Sequence, residues 1–259
     1  MSDHILSRDD GHVRILQIHR PDKKNALTRA MYTALSEGLE DASTNASVRV
    51  VILKGEAGVF TAGNDLMDFM QDPPSIGAEP MPPVERFMRA LMACTKPVIA
   101  SVDGLAIGIG TTLLLHCDLV YCSENARFKT PFVDLALAPE FGSSQLLPGR
   151  VGRALAGELL LLGTEWDYQR AVEKNLVTAH IPAQDLDARV LNLAQTLAAK
   201  APAAVRQAKA LMAMEQEPLL DRIVREGEAF TALLRSPEFQ EAATAFMERR
   251  APDFSKFNA

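Results

Sequence analysis

The stretch that decides the fold is Pro97-Val-Ile-Ala-Ser-Val-Asp-Gly-Leu-Ala-Ile-Gly-Ile-Gly-Thr-Thr-Leu-Leu-Leu-His-Cys-Asp118. A run of apolar, β-prone residues enters a turn that contains Gly104, Gly108 and Gly110, and a run typical of a buried helix follows it. We therefore predict a strand, a tight turn and a helix. Because Gly108 and Gly110 lack a Cβ atom, a ligand can approach the backbone closely, and the first N–H groups of the helix suit an oxyanion.

A second stretch has the same organisation. Val50 to Lys54 is typical of a buried strand, and Phe60-Thr-Ala-Gly-Asn-Asp-Leu66 follows it with a turn at Gly63. Two strand ends that each offer backbone N–H groups can polarise one carbonyl oxygen between them. The sequence therefore predicts a site for a carbonyl compound at these two turns.

Composition restricts the class of protein. The 259 residues are 47% hydrophobic, which is enough for one domain or for a core domain with a helical appendage. The formal charge of −6 argues against a nucleic-acid partner. The three cysteines, Cys94, Cys117 and Cys122, lack metal-ligand spacing and are interpreted as buried, reduced thiols. We find no metal site, no apolar stretch long enough for a membrane span and no signal peptide, so we expect a cytoplasmic protein.

The remaining chain alternates short strands and helices before a long helical tail. We expect a strand at Val13 to His19, a helix from Arg29 to Asp41 capped by Thr28, and a helix from Pro83 to Thr95. Gly142 to Leu162 is expected to be one helical segment, and Asn175 is expected to end a later helix in a left-handed conformation. From Asp185 onward we predict almost only helix, with Ser236 as an N-cap.

The two glycine turns and the segment Phe128-Lys-Thr-Pro-Phe-Val-Asp-Leu-Ala-Leu-Ala-Pro-Glu-Phe-Gly142 together resemble the crotonase family, the enoyl-CoA hydratases and isomerases, over nearly the whole chain. The resemblance implies an α/β crotonase-like fold of repeated β-β-α units. It implies a catalytic and CoA-binding core at residues 1–190 and a helical region at 191–259 that assembles trimers or paired trimers. It also implies an acyl-CoA substrate, in which coenzyme A is part of the substrate and no separate cofactor is needed.

The resemblance assigns roles to residues at both turns and beyond them. It makes the backbone amides of Asn64 and Ile109 the donors of an oxyanion hole. It places Phe230 beside the pantetheine tunnel. It places Arg249 near the adenosine phosphate of a coenzyme A bound either to the same subunit or to a neighbouring one. The full set of residues that it places along coenzyme A is Lys24, Ala26, Ala62, Asp65, Leu66, Gly108, Phe230 and Arg249.

The catalytic carboxylate distinguishes between activities of this family. Typical hydratases present two glutamates, and the matching positions here carry Thr112 and Phe132, neither of which is a carboxylate. Glu140 in Pro139-Glu-Phe-Gly-Ser-Ser144 instead resembles the Δ3,Δ2-enoyl-CoA isomerases. Its neighbours Ala138, Pro139 and Phe141 suggest an apolar pocket that raises the carboxyl pKa. Asp134 is a second acid that could assist or replace Glu140.

One base is sufficient for a 1,3-proton shift. The sequence therefore favours isomerisation of a 3-enoyl-CoA to the 2-trans-enoyl-CoA, with Glu140 as the proton shuttle and backbone amides around the thioester oxygen. Two alternatives stay open. One is another reaction through the same thioester enolate, such as hydration of an unusual acyl-CoA or thioester hydrolysis, and the other is a catalytically silent subunit that binds CoA esters.

Overall fold

The computed structural model describes residues 3–56, 58–214 and 216–257. Short strands alternate with helices up to residue 182, and helices dominate thereafter. The strands are Ile5–Asp10 (β1), Val13–Ile18 (β2), Val50–Lys54 (β3), Val59–Thr61 (β4), Val98–Val102 (β5), Leu105–Ile107 (β6), Leu119–Cys122 (β7), Arg127–Lys129 (β8), Trp166–Asp167 (β9) and Ala179–His180 (β10). The α-helices are Arg29–Thr44 (α1), Leu66–Gln71 (α2), Pro83–Ala93 (α3), Ile109–Thr112 (α4), Ser143–Val151 (α5), Arg153–Leu160 (α6), Tyr168–Glu173 (α7), Ala183–Ala198 (α8), Pro202–Met212 (α9), Leu219–Leu234 (α10) and Pro237–Glu248 (α11).

Two sheets organise these elements. The larger sheet has the order β1-β2-β3-β5-β7-β10, in which β1 and β2 form an antiparallel hairpin and the other neighbours are parallel. The smaller sheet has the order β4-β6-β8-β9, in which β4-β6 and β6-β8 are parallel pairs and β8-β9 is antiparallel. The carboxyl ends of β4, β6 and β8 therefore meet at one edge, which is where parallel strands present their following loops.

Helices cover both faces of the larger sheet. On one face, α1 and α3 pack against each other and bury Tyr32, Leu35 and Phe87 among the strands. On the other face, α8 buries Leu186 and Val190 against β2, β3 and β5. Thr28 caps α1 as predicted, because its side chain accepts a hydrogen bond from the Met31 N–H.

The fold-deciding stretch contains one strand more than the sequence predicted. After β5, Gly104 has a φ of 70° and turns the chain out of the larger sheet into β6 of the smaller one. A Cβ atom at Gly104 would lie 1.6 Å from the Gly58 carbonyl oxygen, so only glycine fits this crossing. The prediction of a single strand before the turn is therefore corrected to two strands in two sheets.

The helical segment predicted from Gly142 to Leu162 is also corrected. It consists of α5 and α6, which are separated at Gly152, where φ is 86° and ψ is 151°. These angles are far from helical values and are accessible mainly to glycine, so the chain changes direction there. By contrast, Asn175 has a φ of 61° just after α7, which confirms the predicted helix stop.

The carboxyl-terminal helices follow the predicted pattern, and Ser236 caps α11 by accepting a hydrogen bond from the Phe239 N–H at 3.1 Å. The helix α8 runs through residue 190, where the sequence placed a division between core and tail, and that division stays a prediction. In the described part of α10 no residue is buried within the single chain. Among the described residues, no helix is both long and apolar enough to cross a membrane.

Candidate active site

The two glycine turns lie side by side at the edge of the smaller sheet. β4 and β6 pair in parallel, with Thr61 opposite Ala106, so the turns that follow them meet. Gly63 has a φ of 94° and Gly108 a φ of 58°, values that favour glycine. A Cβ atom on Gly63 would lie 2.9 Å from the Ile107 carbonyl oxygen, which shows how closely the first turn packs on the second.

The backbone amides of Asn64 and Ile109 are available to a ligand. The amides of the preceding glycines already donate hydrogen bonds within the protein. Gly63 N donates to Thr61 Oγ1 at 3.1 Å, and Gly108 N donates to the Lys129 carbonyl at 2.8 Å. In the described part of the chain, neither Asn64 N nor Ile109 N donates to a backbone carbonyl. Ile109 is the first residue of α4, where N–H groups have no partner within the helix. The arrangement therefore fits the predicted pair of oxyanion donors.

Glu140 reaches this edge from the loop that follows β8. The Thr112 hydroxyl, at the end of α4, donates a hydrogen bond to Glu140 Oε1. Ile109 and Thr112 are three residues apart, which is about 4.5 Å of rise in an α-helix. The carboxylate is thus held by the same short helix that begins with Ile109.

Burial makes Glu140 an unusual acid. Desolvation raises the pKa of its carboxyl to about 7, although the hydrogen bond from Thr112 acts in the opposite direction. The second oxygen, Oε2, is buried and has no hydrogen-bond partner among the described residues. One oxygen is therefore anchored and the other is free to exchange a proton near neutral pH.

The apolar surroundings of Glu140 differ in part from the prediction. Phe141 is buried, packs against Phe87 with ring centroids 6.3 Å apart, and stacks on His116 at 3.9 Å. Ala138 is exposed, so it provides no such cover. His116 Nε2 also lies 2.9 Å from the Phe141 carbonyl oxygen, so this histidine has both a ring contact and a polar partner.

Two side-chain contacts at the candidate site were not visible in the sequence. Thr112 was noted only as a missing carboxylate, yet its hydroxyl anchors Glu140. Tyr32 is fully buried in α1 and donates its hydroxyl to the side-chain oxygen of Asn64. Burial and the nearby Glu140 charge both raise the Tyr32 pKa. Helical spacing predicts a buried residue at position 32, but spacing carries no information on what its hydroxyl contacts.

The predicted coenzyme A residues near the amino terminus follow the first turn. Ala62 N donates to the Lys24 carbonyl at 3.0 Å, and Asp65 N donates to the Leu27 carbonyl at 2.9 Å, so the loop that carries Lys24 and Ala26 lies along Ala62 to Asp65. Lys24 and Leu66 are exposed, and Gly108 forms the second turn. These residues therefore lie along one edge, and their binding role stays a prediction.

Asp65 has a structural role within this edge. Its carboxylate accepts from Arg20 Nη1 at 2.7 Å and from Met67 N and Asp68 N at the start of α2. These bonds and the Arg20 charge lower the Asp65 pKa, so the group stays ionised near neutral pH. We assign Asp65 the task of holding the loop and the turn together.

The remaining predicted residues lie elsewhere. Phe230 is 65% exposed on α10, which packs mainly on α9 and α11, and Arg249 is exposed just after α11. Neither takes part in the contacts around Glu140 described above, and their roles toward coenzyme A stay predictions. Asp134 is exposed, and its carboxylate forms a surface ion pair with the Lys129 ammonium at 3.2 Å.

Comparisons with known proteins identify the family of the chain. The family model for enoyl-CoA hydratase/isomerase matches residues 8–257. The chain is 34% identical to the 2,3-dehydroadipyl-CoA hydratase of Escherichia coli (strain K12), over 98% of this chain and 99% of that protein. It is 33% identical to enoyl-CoA delta isomerase 2 of Rattus norvegicus, over 95% of this chain and 64% of that protein.

A solved structure extends the likeness to three dimensions. A candidate enoyl-CoA hydratase/carnithine racemase from Magnetospirillum magneticum AMB-1 has a TM-score of 0.94 and 42% identity, covering 99% of this chain and 100% of that one. The two glycine turns, the fold and the matches over nearly the full length thus agree. The chain belongs to the enoyl-CoA hydratase/isomerase family and has the crotonase fold.

Proposed function

We propose that the protein is a Δ3,Δ2-enoyl-CoA isomerase, which moves the double bond of a 3-enoyl-CoA to the 2-trans position. The observation that carries this proposal is the state of Glu140: a buried carboxylate with a pKa of about 7, one oxygen held by Thr112 and the other without a partner. Such a group can accept and return a proton without a second acid.

The chemistry starts with the thioester oxygen between Asn64 N and Ile109 N. Glu140 Oε2 removes a proton from C2, the electron pair of the broken C–H bond moves into the thioester, and the amides stabilise the negative oxygen. The protonated carboxyl then gives its proton to C4, where the electron pair of the C3=C4 double bond forms the new C–H bond. The enolate electrons return from the oxygen, restore the thioester carbonyl and form the C2=C3 double bond. The reaction consumes no water, and coenzyme A is part of the substrate.

The pKa of Glu140 suits both steps. A carboxylate with an ordinary pKa is a weak base toward carbon, whereas a pKa near the working pH allows both uptake and release of the proton. Because Thr112 donates to Oε1, the unpartnered Oε2 is the oxygen assigned to the transfer.

The second candidate is hydration. It is favoured by the name of the E. coli relative, a hydratase at 34% identity. Against it, the positions of the two hydratase glutamates carry Thr112 and the buried Phe132, and Asp134 is paired with Lys129 at the surface. Glu140 is then the carboxylate that remains to activate water, so we expect hydration to be slower than isomerisation.

The test uses two substrates. We expect 3-cis-hexenoyl-CoA to give the ultraviolet absorbance of a conjugated enoyl thioester, and crotonyl-CoA to keep its absorbance over the same time. Loss of crotonyl-CoA absorbance without conversion of the hexenoyl ester would identify a hydratase. If neither ester reacts while both bind, the protein is a silent CoA-ester binder, and the proposal is wrong.

A further inference from the structure

The turn that carries Glu140 has a backbone conformation that one of its residues does not favour. Phe141, directly after Glu140, has a φ of 52°, which lies in the left-handed region. An aromatic residue rarely adopts such an angle, and it persists only where surrounding contacts hold it. Gly142 follows with a φ of 68°, which glycine adopts readily. Phe141 is therefore the residue of this turn whose conformation needs support.

Two residues hold the peptide groups on either side of Phe141. The Glu140 carbonyl oxygen, in the peptide group before Phe141, accepts hydrogen bonds from Ser143 N at 3.0 Å and from Ser143 Oγ at 2.7 Å. The Phe141 carbonyl oxygen, in the peptide group after it, lies 2.9 Å from His116 Nε2. Because the orientations of two successive peptide planes set the φ and ψ of the residue between them, Ser143 and His116 together fix the conformation of Phe141.

The imidazole of His116 also contacts the side chain of Phe141. Since a carbonyl oxygen only accepts hydrogen bonds, Nε2 is the ring nitrogen that carries the proton. Burial lowers the pKa of His116; the Phe141 carbonyl opposes this effect and the Arg150 charge adds to it, so the ring is neutral near neutral pH. The ring stacks on that of Phe141, with centroids 3.9 Å apart and planes 18° apart. His116 therefore holds both the backbone and the ring of Phe141.

The place of the Glu140 carboxylate depends on this turn. Thr112 anchors Oε1, but the backbone that leads into Phe141 decides where the side chain of Glu140 starts. The carboxyl is buried, and burial raises its pKa to about 7. If Phe141 relaxed to an ordinary negative φ, the backbone at Glu140 would turn, and we expect the carboxylate to gain contact with water.

We propose that His116 is a positioning residue for the base: it holds Phe141 in the left-handed conformation and thereby keeps the Glu140 carboxylate buried. The inference rests on the proposed role of Glu140 in proton transfer. It goes beyond that role, because it assigns the placement of the base to a residue that acts through its neighbour.

A titration of Glu140 in His116 variants tests the proposal without turnover. With glutamate labelled with 13C at the side-chain carboxyl, the Glu140 signal is assigned by its absence in Glu140→Gln and is followed by NMR. His116→Leu has neither a donor nor an aromatic ring, so the Glu140 pKa should fall from about 7 to about 6 or lower, toward that of an exposed glutamate. His116→Gln can still donate to the Phe141 carbonyl and should restore more than half of the difference.

Leu115→Ala is the matched control, because Leu115 is buried in the same short 3-10 helix as His116. It should destabilise the protein and leave the Glu140 pKa unchanged. An unchanged Glu140 pKa in His116→Leu, an equal fall in Leu115→Ala, or equal values in His116→Leu and His116→Gln would each overturn the proposal.

The wild-type protein offers a test that does not depend on the folding of a variant. In 15N NMR, His116 is expected to be the neutral tautomer with its proton on Nε2. A proton on Nδ1 with a bare Nε2 would overturn the proposal.

Kinetics separate this inference from the proposed function. With 3-cis-hexenoyl-CoA, His116→Leu should lower kcat about a hundredfold with a nearly unchanged KM, because a misplaced base slows the chemical step and leaves binding of the CoA ester intact. If the wild type isomerises this ester and His116→Leu does so equally fast, the positioning role is wrong and the proposed function stands. If the wild type does not isomerise it but the Glu140 pKa falls in His116→Leu, the proposed function is wrong and His116 still places the carboxylate.

Discussion

In the proposed mechanism, Glu140 moves the proton because its two oxygens have different environments. Thr112 holds Oε1, and Oε2 is buried without a partner in the described chain. Holding one oxygen fixes the direction of the carboxylate, which matters because a base acts only within hydrogen-bond reach of its proton. Burial then raises the carboxyl pKa to about 7, a value at which the group can both take up and release a proton near neutral pH.

The pH dependence of the reaction follows from that pKa. Isomerisation needs the ionised carboxylate, and the free enzyme protonates it below a pH of about 7. We therefore expect kcat/KM to be level above pH 8 and to fall about tenfold per pH unit well below pH 7. In Thr112→Val the hydrogen bond that favours the ionised form is lost, so the midpoint should move to higher pH. An unchanged midpoint in this variant would exclude Thr112 as the partner of Glu140.

Tyr32 is expected to position the first oxyanion turn. Its hydroxyl donates to Asn64, so Tyr32→Phe leaves the side-chain oxygen of Asn64 without this partner. We expect kcat to fall about tenfold or less and the free energy of unfolding to fall by about 1 kcal/mol. Steady-state kinetics and urea unfolding measure the two effects. Tyr168→Phe is the matched control, and equal kcat values for the two variants would refute the positioning role.

At the residue scale, the motifs in the sequence singled out Asn64, Ile109 and Glu140, and their catalytic roles stay predictions. It did not reveal Tyr32 and Thr112 as partners. The reason is physical: a hydrogen bond between side chains 32 positions apart depends on how α1 packs over the turn at Asn64, and no local pattern encodes that packing.

The turns after β4 and β6 are the elements on which the site is built. Parallel pairing of β4 with β6 brings the two turns together, and positive φ angles at Gly63 and Gly108 turn the chain directly before Asn64 and Ile109. The sequence predicted both turns from their glycines. It missed the crossing at Gly104, because a strand that leaves one sheet for another has the same apolar pattern as a continuous strand.

Substitution of the first turn glycine tests this element. Gly63→Ala adds a Cβ atom 2.9 Å from the Ile107 carbonyl oxygen in a backbone conformation with a φ of 94°. The turn must shift, so we expect the Asn64 N–H to donate no longer to the thioester oxygen. The loss of this donor should lower kcat about a hundredfold to a thousandfold. Gly149→Ala is the control, since nothing lies within 4 Å of its added Cβ. Full activity of Gly63→Ala would show that the geometry of this turn is not required.

The whole molecule exposes an apolar surface that a single chain does not cover. Large apolar side chains on α10 and α11 are exposed, and Phe246 reaches 85%. We define the apolar tail face as Leu219, Leu220, Ile223, Val224, Phe230, Leu234, Phe239, Phe246 and Met247. Many exposed large apolar side chains on neighbouring helices are typical of an interface between subunits. Helix spacing in the sequence could not distinguish such a face from a core, because both repeat with the same period.

We expect the apolar tail face to hold a trimer or a dimer of trimers together. Phe246→Glu places a charge in that face and should reduce the molar mass in solution toward that of one chain, as measured by light scattering after size-exclusion chromatography. Met92→Glu is the control, because Met92 is 63% exposed on α3, away from the tail face. A wild-type protein that is monomeric at micromolar concentration would contradict the expectation.

The central claim is that one carboxylate moves the proton, and the rate of 3-cis-hexenoyl-CoA isomerisation by Glu140→Gln tests it most directly. Glutamine keeps the size of the side chain and can still accept the hydrogen bond from Thr112, but it cannot take up the proton. We predict a loss of at least about a thousandfold in kcat with nearly unchanged CoA-ester binding, while Asp134→Asn keeps wild-type activity. Isomerisation by Glu140→Gln within tenfold of the wild-type rate would contradict the account.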